Sequence, residues 1–292
     1  MALTVEQGFA TLQRKLVPNA GEHEKAASHK DSVRRCMENN YGCNKFFETG
    51  SFGGGTGVRH YSDADYFAAC DAKKLTNNSG YTLGKIREAL QYTFHSTQGI
   101  GVNTPAVRLQ FGQYASETLE VIPAAFRGIV DTQVGKKASY WIPDYDNGWM
   151  ESSPDAHNAY VRRENDRLGG MVKPLIQFVK AWKFFMDVPI LSFYLELRIT
   201  KYCETEKVIR YDEDVSRVFN MLENNNLASM QDPMGISGLV HPCSTDSKKE
   251  TALSKLATTA SRARKAVELK VSKPDDAFYY WDLVFDHKFP AR

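Results

Sequence analysis

The chain has 292 residues, 42% of them hydrophobic and 25% charged, with a formal net charge of +2. That is enough apolar material for a sizeable core in one large or two modest domains, which excludes disorder, and too small a positive excess for a dedicated nucleic-acid groove. Residues 1–20 carry Glu6, Arg14 and Lys15 and no continuous apolar run, so neither a signal peptide nor a membrane span is expected there, and the protein reads as cytoplasmic.

In chain order, Val5 to Val17 and Ala20 to Asn40 read as helices from their apolar spacing. The basic members of the second, Lys25, Lys30, Arg34 and Arg35, are interleaved with acids, as on a solvated face. Asn44 to Thr49 is the first strand and delivers Gly50-Ser51. Gly53 to Gly57 turns or starts a short helix, and Tyr61 to Ala69 returns as the second strand. Tyr81 to Thr97 is an amphipathic helix, and Ala106 to Phe111 with Glu117 to Ile122 forms an antiparallel pair around Gly112-Gln113. After Pro123 the pattern changes: Ser139 to Pro143 is a last short strand and Tyr145 to Pro154 a loop. Helices follow at Asp155 to Leu168, Met171 to Met186, Ile190 to Thr200, Asp212 to Glu223 and Asp246 to Lys270. The division falls between a mixed catalytic half, residues 1–150 with the N-terminal helices, and a helical half, residues 151–292. A cleft between them is the expected site. Cys36, Cys43, Cys70, Cys203 and Cys243 contain no C-x-x-C pair and read as small buried apolar residues.

The chemistry concentrates at Gly50-Ser51-Phe52-Gly53-Gly54-Gly55-Thr56 and at Ser62-Asp63-Ala64-Asp65. A Gly-Ser turn can offer backbone N–H groups to a triphosphate, and two carboxylates at i, i+2 on a strand share one face, where they can hold metal ions. Glu120, set among Leu119, Val121 and Ile122, is either a surface-facing residue of an alternating strand or a third acid for that cluster. Three such carboxylates suit a pair of Mg²⁺ or Mn²⁺ ions in two-metal phosphoryl transfer. In the helical half, Lys180 and Lys183 lie three apart beside Phe178 and Trp182, so one lysine can reach the cleft, and Ser192 can hydrogen-bond a phosphate. A surface lysine and a helix N-terminal serine are the plainer alternatives.

With those motifs, Leu119-Glu120-Val121-Ile122-Pro123, Lys180-Ala181-Trp182, Ser192-Phe193-Tyr194-Leu195-Glu196, Asp232-Pro233 and the closing segment from Ala277 to Pro290, nearly the whole chain resembles one family. This is the bacterial cGAS/DncV-like nucleotidyltransferases (CD-NTases) of the DNA polymerase beta-like superfamily. The resemblance implies an α+β fold, with a polymerase beta-like lobe built on a small mixed sheet and a C-terminal helical lobe. It also implies synthesis of a cyclic di- or trinucleotide from ATP, GTP or UTP, anti-phage signalling through a product-sensing effector protein, and a monomer. By the same resemblance Gly50, Ser51 and Ser192 contact the donor triphosphate, Lys180 neutralises it, and Asp63, Asp65 and Glu120 hold two Mg²⁺ or Mn²⁺ ions. The third acid is usually Asp in that family, and Glu120 reaches one methylene farther. Asn165 lies where some relatives read a base, though it also suits a helix surface, and Tyr140, Trp141 and Trp149 are alternative stacking platforms or core residues. Nucleotide addition to RNA or protein, or a silent nucleotide-binding module, stands as the alternative function.

Overall fold

The computed structural model describes residues 3–18, 29–112 and 117–292. Its centre is a seven-stranded mixed sheet containing β1 (Lys45–Thr49), β2 (Ala64–Cys70), β3 (Gly99–Asn103), β4 (Ala106–Phe111) and β5 (Glu117–Thr132) in the order β1-β2-β5-β4-β3. β2 and β5 run parallel, and the other neighbours are antiparallel. β6 (Gly135–Pro143) pairs with the far half of β5, and β7 (Trp149–Ser152) pairs with β6.

Side-chain alternation gives the sheet two different faces. Ala64, Tyr66 and Ala68 of β2 and Leu119 and Val121 of β5 bury against α2 (Lys30–Tyr41) and α4 (Ser79–Thr93), which contribute Val33, Met37, Leu83, Ile86 and Leu90. The intervening residues, Asp65 and Phe67 on β2 and Glu120 and Ile122 on β5, therefore share the opposite face.

The remaining helices form a second core. α5 (Pro154–Arg167), α6 (Val172–Phe185), α7 (Ser192–Cys203), α8 (Tyr211–Asn224), α9 (Asp246–Leu269) and α10 (Pro274–Val284) pack together, with the small β8 (Met230–Gln231) and β9 (Leu239–Val240) ribbon beside them. α1 (Val5–Leu16), started by a capping box between Thr4 and Gln7, buries Val5, Phe9, Leu12 and Leu16 here. The Phe9 ring lies 5.1 Å from Phe178, 4.9 Å from Trp281 and 5.2 Å from Phe289, all edge-on. Asp232 of the Asp-Pro pair locks the loop after β8. It is bonded to His157 Nε2 at 2.9 Å and accepts N–H groups from Met234, Ile236 and Ser237. Burial opposes its charge, but these donors outweigh that and lower its pKa to about 2.

Several expectations are corrected. β2 starts at Ala64, so Asp63 stands just before the strand rather than on it. β5 does not end near Pro123. Its β4 pairing stops at Val121 and its β6 pairing starts at Ala125, so the proline, which has no N–H, falls where that edge is unpaired. The segment read as a loop from Tyr145 contains β7, and β6 begins four residues before Ser139. Although α1 precedes the sheet in sequence, its apolar stripe packs in the helical core rather than on the catalytic half. α2 begins at Lys30, and the earlier part of the helix expected from Ala20, Lys25 included, lies outside the described residues. All five cysteines are free and buried. No helix among the described residues is long and apolar enough to cross a membrane.

Candidate active site

Parallel register between β2 and β5 sets Asp65 directly beside Glu120, and β1 ends with Thr49 opposite Asp65 on the other side. The chain then turns at Gly50 into a short helix, α3 (Gly50–Gly54). Gly50 has φ +60°, and a Cβ built on it would fall on Asp65 Oδ2. Two constraints thus require glycine at this point: the left-handed backbone and the carboxylate pressed against it. The Gly-Ser turn and the acids are one unit, joined by sheet register rather than by sequence proximity.

Arg108 on β4, paired with Glu120 on β5, places Nε 2.8 Å from Glu120 Oε1 and Nη2 3.3 Å from Asp63 Oδ2. Asn103 Nδ2 donates to the same Glu120 oxygen at 2.7 Å. Glu120 is thus the third acid of the cluster and does not face open solvent, with its side chain only 14% exposed. The arrangement leaves charge unbalanced. Burial, and then the charges of Glu120 and Asp63, push Asp65 well above the usual carboxylate range. Burial and Glu120 raise Asp63 too, against Arg108 and Lys183. Among the described residues no three His, Cys, Asp or Glu groups are already disposed around one point as a metal cage. The donor chemistry nevertheless fits a divalent cation: hard carboxylate oxygens crowded on one face, with the charged form of two of them disfavoured in a way that a bound cation would relieve.

The helical half closes over this turn. Lys180 Nζ is fully buried, 2.6 Å from Ser51 Oγ, 3.0 Å from Thr56 O and 2.6 Å from Glu196 Oε1. Thr56 Oγ1 donates to that glutamate oxygen at 2.8 Å, and Gln177 Nε2 donates to Gly57 O at 2.8 Å. One turn along α6, Lys183 Nζ donates to Ser192 Oγ at 2.8 Å. Burial, and then the nearby Lys180 charge, lower the Lys183 pKa to about 8, although Glu196 and Asp63 pull it up.

The structure therefore brings Gly50, Ser51, Asp63, Asp65, Glu120, Lys180, Lys183 and Ser192 together. Asn165 is engaged elsewhere: its Oδ1 accepts the Lys173 N–H at the start of α6. Tyr140 is a core residue, 3% exposed among Phe47, Phe67 and Phe126. Trp149 donates its indole N–H to Thr76 O, and Trp141 lies under Arg127. Sequence reasoning assigned no role to Arg108, Asn103, Thr56, Gln177 or Glu196. Arg108 becomes meaningful only through the β4–β5 register, whereas Glu196 carried a local signal, one helical turn after Ser192.

Residues 3–165, more than half of the chain, match the Second Messenger Oligonucleotide or Dinucleotide Synthetase domain. A probable cyclic nucleotide synthase of Bacillus cereus (strain VD146) is 23% identical over 233 residues, covering 75% of this chain and 67% of that protein. Among solved structures, CdnC of E. coli MS115-1 with ATP superposes with a TM-score of 0.76 at 15% identity, covering 98% of this chain and 99% of the other. Vibrio cholerae DncV cyclic AMP-GMP synthase with the linear intermediate 5' pppA(3',5')pG gives 0.66 at 14% identity, covering 99% and 82%. These likenesses confirm the mixed α+β CD-NTase fold. With more than half of its residues matched by that domain, the chain belongs to the Second Messenger Oligonucleotide or Dinucleotide Synthetase family.

Proposed function

We propose that the protein joins nucleoside triphosphates into a cyclic di- or trinucleotide second messenger, releasing pyrophosphate, and that the product signals to an effector protein in anti-phage defence. The observation that carries this reading is the side-by-side placement of Asp65 and Glu120, with the Gly50-Ser51 turn packed against Asp65. Related structures contain ATP, GTP or a linear dinucleotide intermediate, which agrees with triphosphates as substrates here.

Proteins of this family generally use divalent metal ions. Asp63, Asp65 and Glu120 would hold two Mg²⁺ or Mn²⁺ ions, which when bound activate the attacking hydroxyl and steady the leaving pyrophosphate. The chain's own groups do the rest. The Gly50-Ser51 turn and Ser192 orient the donor triphosphate, and positive charge on α6 offsets its negative charge. Arg108 balances Asp63 and Glu120 in the metal-free protein, which keeps the acids on one face.

Purified protein incubated with Mg²⁺ or Mn²⁺ and the four labelled ribonucleoside triphosphates should give a phosphatase-resistant product. Linear or macromolecule-attached nucleotide without any resistant product would overturn this reading in favour of transfer to RNA or protein.

A further inference from the structure

Sheet register lays five residues in a single row across the strands: Gly101 on β3, Arg108 on β4, Glu120 on β5, Asp65 on β2 and Thr49 at the end of β1. Ile100 of β3 and Val107 and Leu109 of β4 bury against the helices on the other side. By alternation, Asn103, Ala106 and Arg108 share the face that carries the acids. Asn103 pairs with Ala106, a small neighbour between it and β5. One carboxylate is therefore gripped from two strands. Arg108 Nε donates to Glu120 Oε1 at 2.8 Å, and Asn103 Nδ2 donates to the same oxygen at 2.7 Å. Among the described residues no hydrogen bond is made to Glu120 Oε2.

We propose that Asn103 and Arg108 are positioning residues for Glu120 as a metal ligand: they hold one of its oxygens so that the other is presented to the cation. This rests on the function proposed above. The length of the glutamate is part of the arrangement. β3 and β5 are two strand spacings apart, about 9.5 Å, so an acid on β5 meets an amide on β3 only if both side chains reach. Aspartate at position 120 would withdraw the carboxylate by one carbon–carbon bond, about 1.5 Å. That would stretch the 2.7 Å bond past the hydrogen-bond range of about 3.2 Å. A long acid left free would lose rotamer entropy on binding a cation, and the two donors fix it beforehand. They differ in charge. Arg108 also bonds Asp63 at 3.3 Å, and its positive charge opposes a cation at the acids even as it orients them. Asn103 orients and adds no charge, which makes it the cleaner probe. Hydrogen-bond partners of metal ligands are commonly worth roughly 10- to 100-fold in metal affinity.

The test measures Mn²⁺ alone binding to the full chain, from loss of the free-ion paramagnetic resonance signal, alongside the Mg²⁺ dependence of product formation. Glu120→Gln identifies the ion held by that carboxylate. Asn103→Leu, neutral and close in shape, should weaken that ion roughly 10-fold and raise the Mg²⁺ concentration for half-maximal product formation by a similar factor. In a Glu120→Asp background, where the bond is already out of reach, Asn103→Leu should change Mn²⁺ affinity less than about twofold. Asn103→Gln combined with Glu120→Asp moves the methylene from one side chain to the other and should recover part of the affinity that Glu120→Asp alone loses. Equal weakening by Asn103→Leu in both backgrounds, or no recovery in the exchanged pair, would overturn the proposal. So would an Asn103→Leu protein with a lowered melting temperature but unchanged Mn²⁺ affinity, which would mean a purely structural contact, or Mn²⁺ binding that Glu120→Gln leaves intact. Mn²⁺ binding that depends on Asn103, with no cyclic product from any triphosphate, would uphold this proposal and count against the proposed function alone.

Discussion

On the sheet wall, burial and then the charge of Glu120 raise the pKa values of Asp63 and Asp65, while on the helical wall Lys180 has a hydrogen-bond partner for every N–H it carries. Both walls bring like charges close together, but only one is satisfied within the protein. The sheet wall spends stability to keep acids crowded on one face, as expected of groups that work on a cation. On the helical wall Lys180 is saturated, as expected of a group that holds the turn's shape.

The largest effects should come from removing the unsatisfied side. Asp63→Asn with Asp65→Asn should lower product formation by at least about 10³-fold while leaving the circular dichroism spectrum unchanged. Full activity in that variant would mean the acids are not the reactive wall. Next comes the junction between turn and acid. Gly50→Ala forces a Cβ onto Asp65 at a left-handed backbone position and should cut kcat about 100-fold, with a strain cost of about 1–2 kcal/mol visible in denaturant titration.

A smaller effect sharpens the contrast between the lysines. Burial and then the Lys180 charge lower the Lys183 pKa to about 8, against Glu196, Asp63 and Cys243, which pull it up. A depressed lysine is charged below that value and neutral above it, so raising pH from 7 to 9 should weaken tripolyphosphate binding by up to about tenfold. Lys183→Met should flatten that profile.

The smallest effect is on stability. Because the folded-state pKa of Asp65 is raised, its ionised form costs stability at neutral pH, and that cost shrinks as pH falls below the raised value and is gone only below the ordinary unfolded-state value. Asp65→Asn should therefore stabilise the metal-free protein at pH 7 by about 1 kcal/mol, a rise of about 2–4 °C in Tm, and that gain should shrink on acidification. A destabilised Asp65→Asn protein would show that Asp65 is held by favourable contacts instead.

Much of this organisation is visible in local pattern. Asn44 to Thr49 as a strand ending at Gly50, the pair around Gly112, and five of the later helices all lie within a few residues of their observed positions, because alternation and 3.6-residue spacing are carried by neighbours in sequence. Where the reading failed, longer-range pairing decided the outcome. Pro123 reads as a strand end, but it falls at the one gap between β4 and β6 along an edge of β5. α1 reads as part of the catalytic half, but Phe9 packs among Phe178, Trp281 and Phe289, more than 160 residues away at the nearest.

By itself the sequence determined the residue types and their order: a Gly-Ser turn, Asp63 and Asp65 two apart, Glu120 in an apolar strand, and lysines three apart on a helix. Those are local choices, and they are enough to name the family and its chemistry. Only the tertiary structure decided which groups meet. The β2–β5 register puts Glu120 beside Asp65, the β4–β5 register gives both Glu120 and Asp63 to Arg108, and the packing of α6 and α7 saturates Lys180 while leaving Lys183 with donors to spare. Hydrogen-bond capacity is used up by partners distant in sequence, so the different saturation of two lysines one turn apart could not be read from their spacing.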